Sequence, residues 1–298
     1  MPNETRRALD QLSGVVVSLL WRQWAALGQA AERPPRNIVD IEALLLASEW
    51  FSRDEARLTT ASETWRASFG GLISTQRLRN LAARSVRHLA LPTWLNAPTL
   101  VDTGEDSPPR IRGPRRSAPI EYAGRGMPTL QLRLRLLLGV GAKADCMAVL
   151  LGRSPVESLS DWSLEQETAY GTHAIRKVTR DLAWASVLES SRDGQHSVLE
   201  PLAWWSILRP DPPVRPAWQS WGVIFAWTAA ARGILTLGAA RDVTAYALGA
   251  QIDALTESLG EPLPWAQPLA ARTRSGETGL RRCQSTCEEL ARLIQDDG

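Results

Sequence analysis

SDWSLEQETAYGTHAIRKVTRDLAWASVLESSRDGQHSVLE, residues 160–200, decides how the rest of the chain is read. Ser160 precedes a short run, 161–168, and a serine ahead of a helix offers its hydroxyl to the first free backbone N–H groups. The apolar anchors of that run are Trp162 and Leu164, so it is expected to be a short supporting helix. Gly171 marks the next boundary, where the backbone changes direction. From 172 to 185 the apolar side chains Ile175, Val178, Leu182 and Ala185 fall on one stripe at about 100° per residue. His173, Lys177, Arg180 and Trp184 fall on the opposite side, with Arg176 at its edge and Asp181 at the flank. After Ser186 the period changes. Two strand-like runs, 187–191 and 196–200, flank Arg192-Asp193-Gly194-Gln195, and Asp-Gly between such runs is a strong hairpin signal.

Helix, tight turn, second helix and hairpin make the winged helix-turn-helix plan. The fold class expected is mainly α, with one small β-hairpin and helical domains on both sides. The second helix divides into a core face and a face of donors, the division a helix needs to read base edges in a major groove. Thr172, His173, Arg176, Lys177 and Arg180 are the expected groove contacts. Arg192, Gln195 and His196 are expected at the tip of the wing, against the phosphate backbone.

Here a resemblance becomes specific. The run 130–138 followed by Gly139-Val140-Gly141-Ala142-Lys143-Ala144-Asp145 resembles the start of winged-helix domains in a group of bacterial, mostly helical regulators. Asp181-Leu182-Ala183-Trp184-Ala185-Ser186-Val187-Leu188 resembles the D-L-x-x-A-G-V-V exit of regulators similar to the MarR and ArsR families. Ser186 stands where that pattern has glycine, and Glu165 and Glu167 where its first helix shows alanines. The resemblance covers 128–202 and extends weakly to 41–46 and 73–80. It implies double-stranded DNA as partner, and names neither operator nor effector.

The chain has 298 residues, enough for two domains or for one helical protein with an embedded module. Thirteen tryptophans against three Phe and three Tyr make Trp the default large core residue. Lys143 and Lys177 are the lysines among 34 basic residues, an arginine bias that points to a GC-rich lineage. Net charge is +2, and residues 128–200 carry eight basic and nine acidic side chains, so the module is not basic overall. That argues against strong non-specific DNA binding, which phosphate neutralisation supplies. Three cysteines make no disulfide framework. The N-terminal stretch is not read as a secretory signal, and the apolar window 222–240 is interrupted by Arg232. A cytoplasmic protein is expected.

The domains expected are an N-terminal helical domain, 1–95, a Pro/Arg-rich linker, 96–127, the winged helix, 128–202, a second linker, 203–217, and a C-terminal helical domain, 218–298. The C-terminal helices are expected to pack on the N-terminal ones or to form a homodimer, whose two-fold the DNA half-sites would mirror. The helix from Ser74 carries Arg77, Arg79, Arg84, Arg87 and His88, either an accessory phosphate surface or, the favoured reading, a solvated face. Arg110, Arg112, Arg115 and Arg116 in the linker read equally as a minor-groove arm or a tether.

No enzyme signature is present: Gly139-Val140-Gly141 follows a helix and lacks the Lys-Ser/Thr of a phosphate loop, and the three histidines have no motif partner. Cys283 and Cys287, four apart, share a helical face and are read as structural thiols, with no metal and no cofactor expected. Two alternatives stand beside a DNA-binding regulator. One is a winged-helix protein-interaction module, such as an antitoxin or defence-system component, favoured by the near-neutral module and the outward Trp184. The other is a sensor whose Trp-rich helices enclose an apolar ligand.

Overall fold

The computed structural model describes residues 2–85, 127–153, 158–208, 215–241, 245–260 and 279–295. The chain is mainly helical with a small antiparallel sheet. Four helices lead: α1, Pro2–Ala26, α2, Ile41–Trp50, α3, Arg57–Phe69, and α4, Thr75–Ser85. Then come α5, Leu130–Leu138, α6, Ala142–Arg153, β1, Leu159–Ser160, α7, Asp161–Thr168, α8, Thr172–Trp184, β2, Leu188–Ser190, and β3, Gln195–Val198. The chain continues through α9, Pro201–Leu208, α10, Trp221–Arg241, α11, Ala245–Gly260, and α12, Gly279–Gln295.

Apolar stripes at helical spacing produce two cores. The first gathers α1–α4 with α10–α12 around Leu12, Leu20, Trp24, Leu44, Trp65, Trp227, Cys287 and Leu290. N- and C-terminal helices therefore share one interior, and Arg22 of α1 donates to the carbonyl of Ile294 in α12. The second core belongs to α5–α9, with Met147, Leu164, Ile175, Leu182, Leu188 and Trp205, closed by Ile38 and Trp218 from outside. Tryptophan serves both, and buried indoles usually find an acceptor: Trp24 donates to Ser48 Oγ at 2.9 Å, Trp221 to Ile38 O at 2.8 Å and Trp227 to Thr256 Oγ1 at 3.0 Å, while Trp65 and Trp205 are buried without one among the described residues. Among the described residues one helix, Trp221–Ala240, is long and apolar enough to cross a membrane, and 56% of that window is buried inside the protein.

The sheet holds three strands in the order β1-β3-β2, all antiparallel. The expected hairpin is present as β2 and β3, and an unexpected third strand joins it: β1, only two residues long, pairs Leu159 with His196 and Ser160 with Gln195. A correction concerns the linker expected at 203–217, which begins inside α9, where Trp205 and Leu208 are buried. Residues 96–126 of the Pro/Arg-rich linker, Arg87 and His88 lie outside the described residues.

A buried ionic network joins the two cores. Arg77 of α4 donates to Asp40 at 2.5 and 2.6 Å and to Glu42 at 2.7 Å. Arg135 of α5 donates to Glu42 at 2.7 and 2.8 Å and to Asp145 at 2.9 Å through two nitrogens. Tyr170 donates to Asp145 at 2.9 Å and lies 2.8 Å from Ser74 Oγ. Gln131 completes the set by donating to Asp145 at 3.0 Å and accepting from Ile41 N at 3.1 Å. Every guanidinium and carboxylate has partners, the condition under which charges survive in an interior. Arg77 is thus neither a phosphate-contacting residue nor part of a solvated face.

Candidate nucleic-acid interface

The turn between α7 and α8 is built locally. Ser160 Oγ accepts from Ser163 N at 3.1 Å and caps α7. Ala169, at φ 57, ends α7 in the left-handed region, and Gly171 precedes α8. Leu164 anchors α7 in the core, whereas Trp162, also expected to anchor it, is half exposed. Glu167 turns inward and accepts from Trp218 Nε1 at 2.8 Å, Ser220 Oγ at 2.8 Å and Arg153 at 2.9 Å. Those partners come from other elements, which is why this departure from the alanine pattern is tolerated.

Helix α8 divides as its period requires. Ile175, Val178, Thr179 and Leu182 are buried. Thr172, His173, Arg176, Lys177 and Arg180 are all exposed, so the five expected groove residues share an open surface. Two are engaged with acids of α7: Thr172 Oγ1 donates to Glu165 at 2.5 Å, and Arg176 Nε lies 3.6 Å from Asp161. The Arg176 side chain is 71% exposed, so that pair is weak and exchangeable. Trp184 is 78% exposed, with the Arg180 guanidinium 5.3 Å from its ring. α8 ends with Val187 N donating to Leu182 O at 2.9 Å and Ser186 N to Ala183 O at 3.0 Å. That closing pattern requires a left-handed residue, and Ser186 supplies it at φ 56 where the resemblance has glycine.

The hairpin turns at Gly194, φ 69, with Arg192 exposed and Gln195 partly so. His196 is not at the tip. It is 6% exposed, paired in register with Leu159 and Ser190, and its ring faces inward. Nδ1 lies 2.9 Å from Ser190 Oγ and Nε2 3.0 Å from Asp161 Oδ1. Thr179 donates to the same Asp161 oxygen at 3.2 Å, so one carboxylate ties α7, α8 and β3 together. Sequence reasoning missed this cluster because its members come from three elements with no common spacing; only the alternation of β3 hinted that His196 and Val198 share the inner face.

Cys146, Cys283 and Cys287 are buried free thiols. Burial pushes the Cys146 thiol well above its ordinary range, and the contact with Cys287 together with burial does the same for Cys283. Burial likewise raises the Tyr170 phenol. Among the described residues no group of three or more His, Cys, Asp or Glu side chains could hold a metal ion. No family model, no curated protein and no solved structure matches this chain.

Proposed function

We propose that this chain is a sequence-specific double-stranded DNA-binding protein, a transcriptional regulator that reads the major groove with α8 as a homodimer. The observation that carries the reading is the surface of α8: His173, Arg176, Lys177 and Arg180 stand exposed on a helix whose other face is buried. The surrounding order supports a winged helix-turn-helix, with α6, β1, α7, α8, β2 and β3 in sequence and a sheet ordered β1-β3-β2. Arg192 and Gln195 at the hairpin then meet the flanking backbone. His196 is reassigned to a brace through Asp161 that sets the angle between α7 and α8, and no reaction is assigned to the Ser190–His196–Asp161 chain. A good bidentate Arg contact discriminates a base by about 1–3 kcal/mol. In a dimer the two α8 helices would stand about 34 Å apart.

Selection from a random-sequence duplex pool, followed by a mobility-shift assay on the recovered duplex, tests this. Arg176→Ala with Lys177→Ala is expected to abolish specific binding and leave the circular dichroism spectrum unchanged. Undiminished binding by the folded double variant would refute the assignment.

A second reading has its own observation. Trp184, 78% exposed beside Arg180, gives the same helix an aromatic-cationic spot of the kind protein partners bury. Under that reading the module grips a protein, and a co-purifying partner is lost with Trp184→Ala while the selection recovers no duplex.

A further inference from the structure

Five consecutive backbone carbonyls at the end of α7 accept hydrogen bonds from one stripe of α4. Arg84 Nη1 donates to Glu165 O at 3.1 Å and to Gln166 O at 3.3 Å. Arg77 donates to Glu167 O at 3.3 Å and to Thr168 O at 2.8 Å. Asn80 Nδ2 donates to Ala169 O at 2.7 Å. Residues 77, 80 and 84 are three and four apart, so they lie one above another on the same helical face. Glu165 O also takes Ala169 N at 2.9 Å; the carbonyls after it have no donor within the helix and form the negative end of its dipole. Two guanidinium groups and an amide therefore match that end in geometry and, for the arginines, in charge.

The consequence is directional. Only Tyr170 and Gly171 separate the last clamped carbonyl from Thr172, the first residue of α8. Tyr170 is itself held by Ser74 and Asp145. The N-terminal turn of α8, with His173 and Arg176, thus takes its direction from a helix of the other core.

We infer that α4 belongs to the duplex-reading machinery: Asn80 and Arg84 are positioning residues that hold the α7–α8 turn, and hence α8, at the angle at which its donors meet a groove. The inference rests on the DNA-binding reading above and extends it to the N-terminal helices. Arg77 shares the task but is 0% exposed and engaged with Asp40 and Glu42, so its removal would disturb the fold. Asn80 and Arg84 sit at the rim and are the usable handles.

A positioning residue and a phosphate contact differ in salt dependence. Each phosphate neutralised contributes about −0.9 to the slope of log affinity against log salt, whereas a residue acting through the turn contributes nothing to it. The probe is the fluorescein-labelled duplex recovered from the random pool, titrated by anisotropy at several salt concentrations. Wild type, Asn80→Ala, Asn80→Ala with Arg84→Ala, and Arg192→Ala are compared. Both α4 variants are expected to lose about two- to thirty-fold in affinity, the range for residues that act through a packed network, with the wild-type slope. Arg192→Ala is expected to reduce the slope by about one. Should the double variant lose its native circular dichroism spectrum, Asn80→Ser, which keeps a donor, is expected to show a smaller loss at the same slope. Wild-type affinity in the folded α4 variants overturns the inference and leaves the DNA-binding reading standing. A slope reduced by about one in the double variant overturns it by making Arg84 a direct contact. A wild-type chain that recovers no duplex ends both.

Discussion

Arg135→Met is the most informative single perturbation of the joint between the cores. The guanidinium is buried and makes two bonds to Glu42, two to Asp145 and one to Leu72 O at 2.8 Å. Methionine fills much of the volume but leaves Glu42 with Arg77, which Asp40 shares, and leaves Asp145 with the neutral donors Gln131 and Tyr170. Breaking a buried pair by removing one partner costs about 3–5 kcal/mol. That is a large share of the 5–15 kcal/mol or so that holds a typical domain. The sign of the pH dependence follows from the two acids. Burial pushes Glu42 up, but Arg135 and Arg77, by charge and hydrogen bonds, pull it further down, from 4.5 to about 2. Its stabilisation is complete above 4.5 and drains away as pH falls towards about 2. Asp145 is the opposite case: burial raises it above 3.8 despite Arg135, so its contribution grows as pH falls into that window. Without Arg135 the main opposition to burial is gone, and both acids shift upward from their wild-type values. The stability gap between wild type and variant should therefore be widest near about pH 7, where Glu42 is fully charged, and narrow towards about pH 3, inside the window in which Glu42 titrates in the wild type. Urea unfolding followed by tryptophan fluorescence at both pH values measures it. A loss below about 1 kcal/mol at neutral pH, or a gap that widens on acidification, would refute the reasoning.

Three further outcomes follow from single positions. Ser186→Gly should stabilise the fold by about 1 kcal/mol, because a left-handed backbone costs about that much in a residue with a Cβ; thermal melts read it, and an unchanged midpoint counts against the strain argument. Gly152→Ala should destabilise by about 1–3 kcal/mol, since its Cβ would lie 2.6 Å from Ile38 Cδ1 and 2.8 Å from both Trp218 Cβ and N. A variant as stable as wild type would show that this contact relaxes freely. Trp184→Ala should leave stability within about 0.5 kcal/mol, since the ring is exposed; a larger loss would mean the indole is covered in solution.

Helices α7 and α8 were legible in the sequence because their signals are local. Ser160 caps, Gly171 breaks, and the stripe of Ile175, Val178 and Leu182 declares a buried face, all within a few residues of the structure they cause. The exposed donor face came with the same period, since what does not face the core is left for solvent. Strand β1 was not legible, because two residues cannot display an alternation; Leu159 and Ser160 become a strand only when β3 arrives beside them. His196 was misplaced for the same reason, its direction being set by register with Leu159 and Ser190 rather than by nearness to the turn. The arginine-rich face of α4 divides: Arg79 and Arg84 are exposed as a solvated face requires, while Arg77 is buried. The partners of Arg77 and Arg84 are Asp40, Glu42 and the carbonyls of residues 165–168, distant in sequence and adjacent only once both cores have formed. Periodicity tells a helix which face to bury. Which helix receives that face, and which distant acceptors satisfy the charges beside it, is settled by the packing that brings them together.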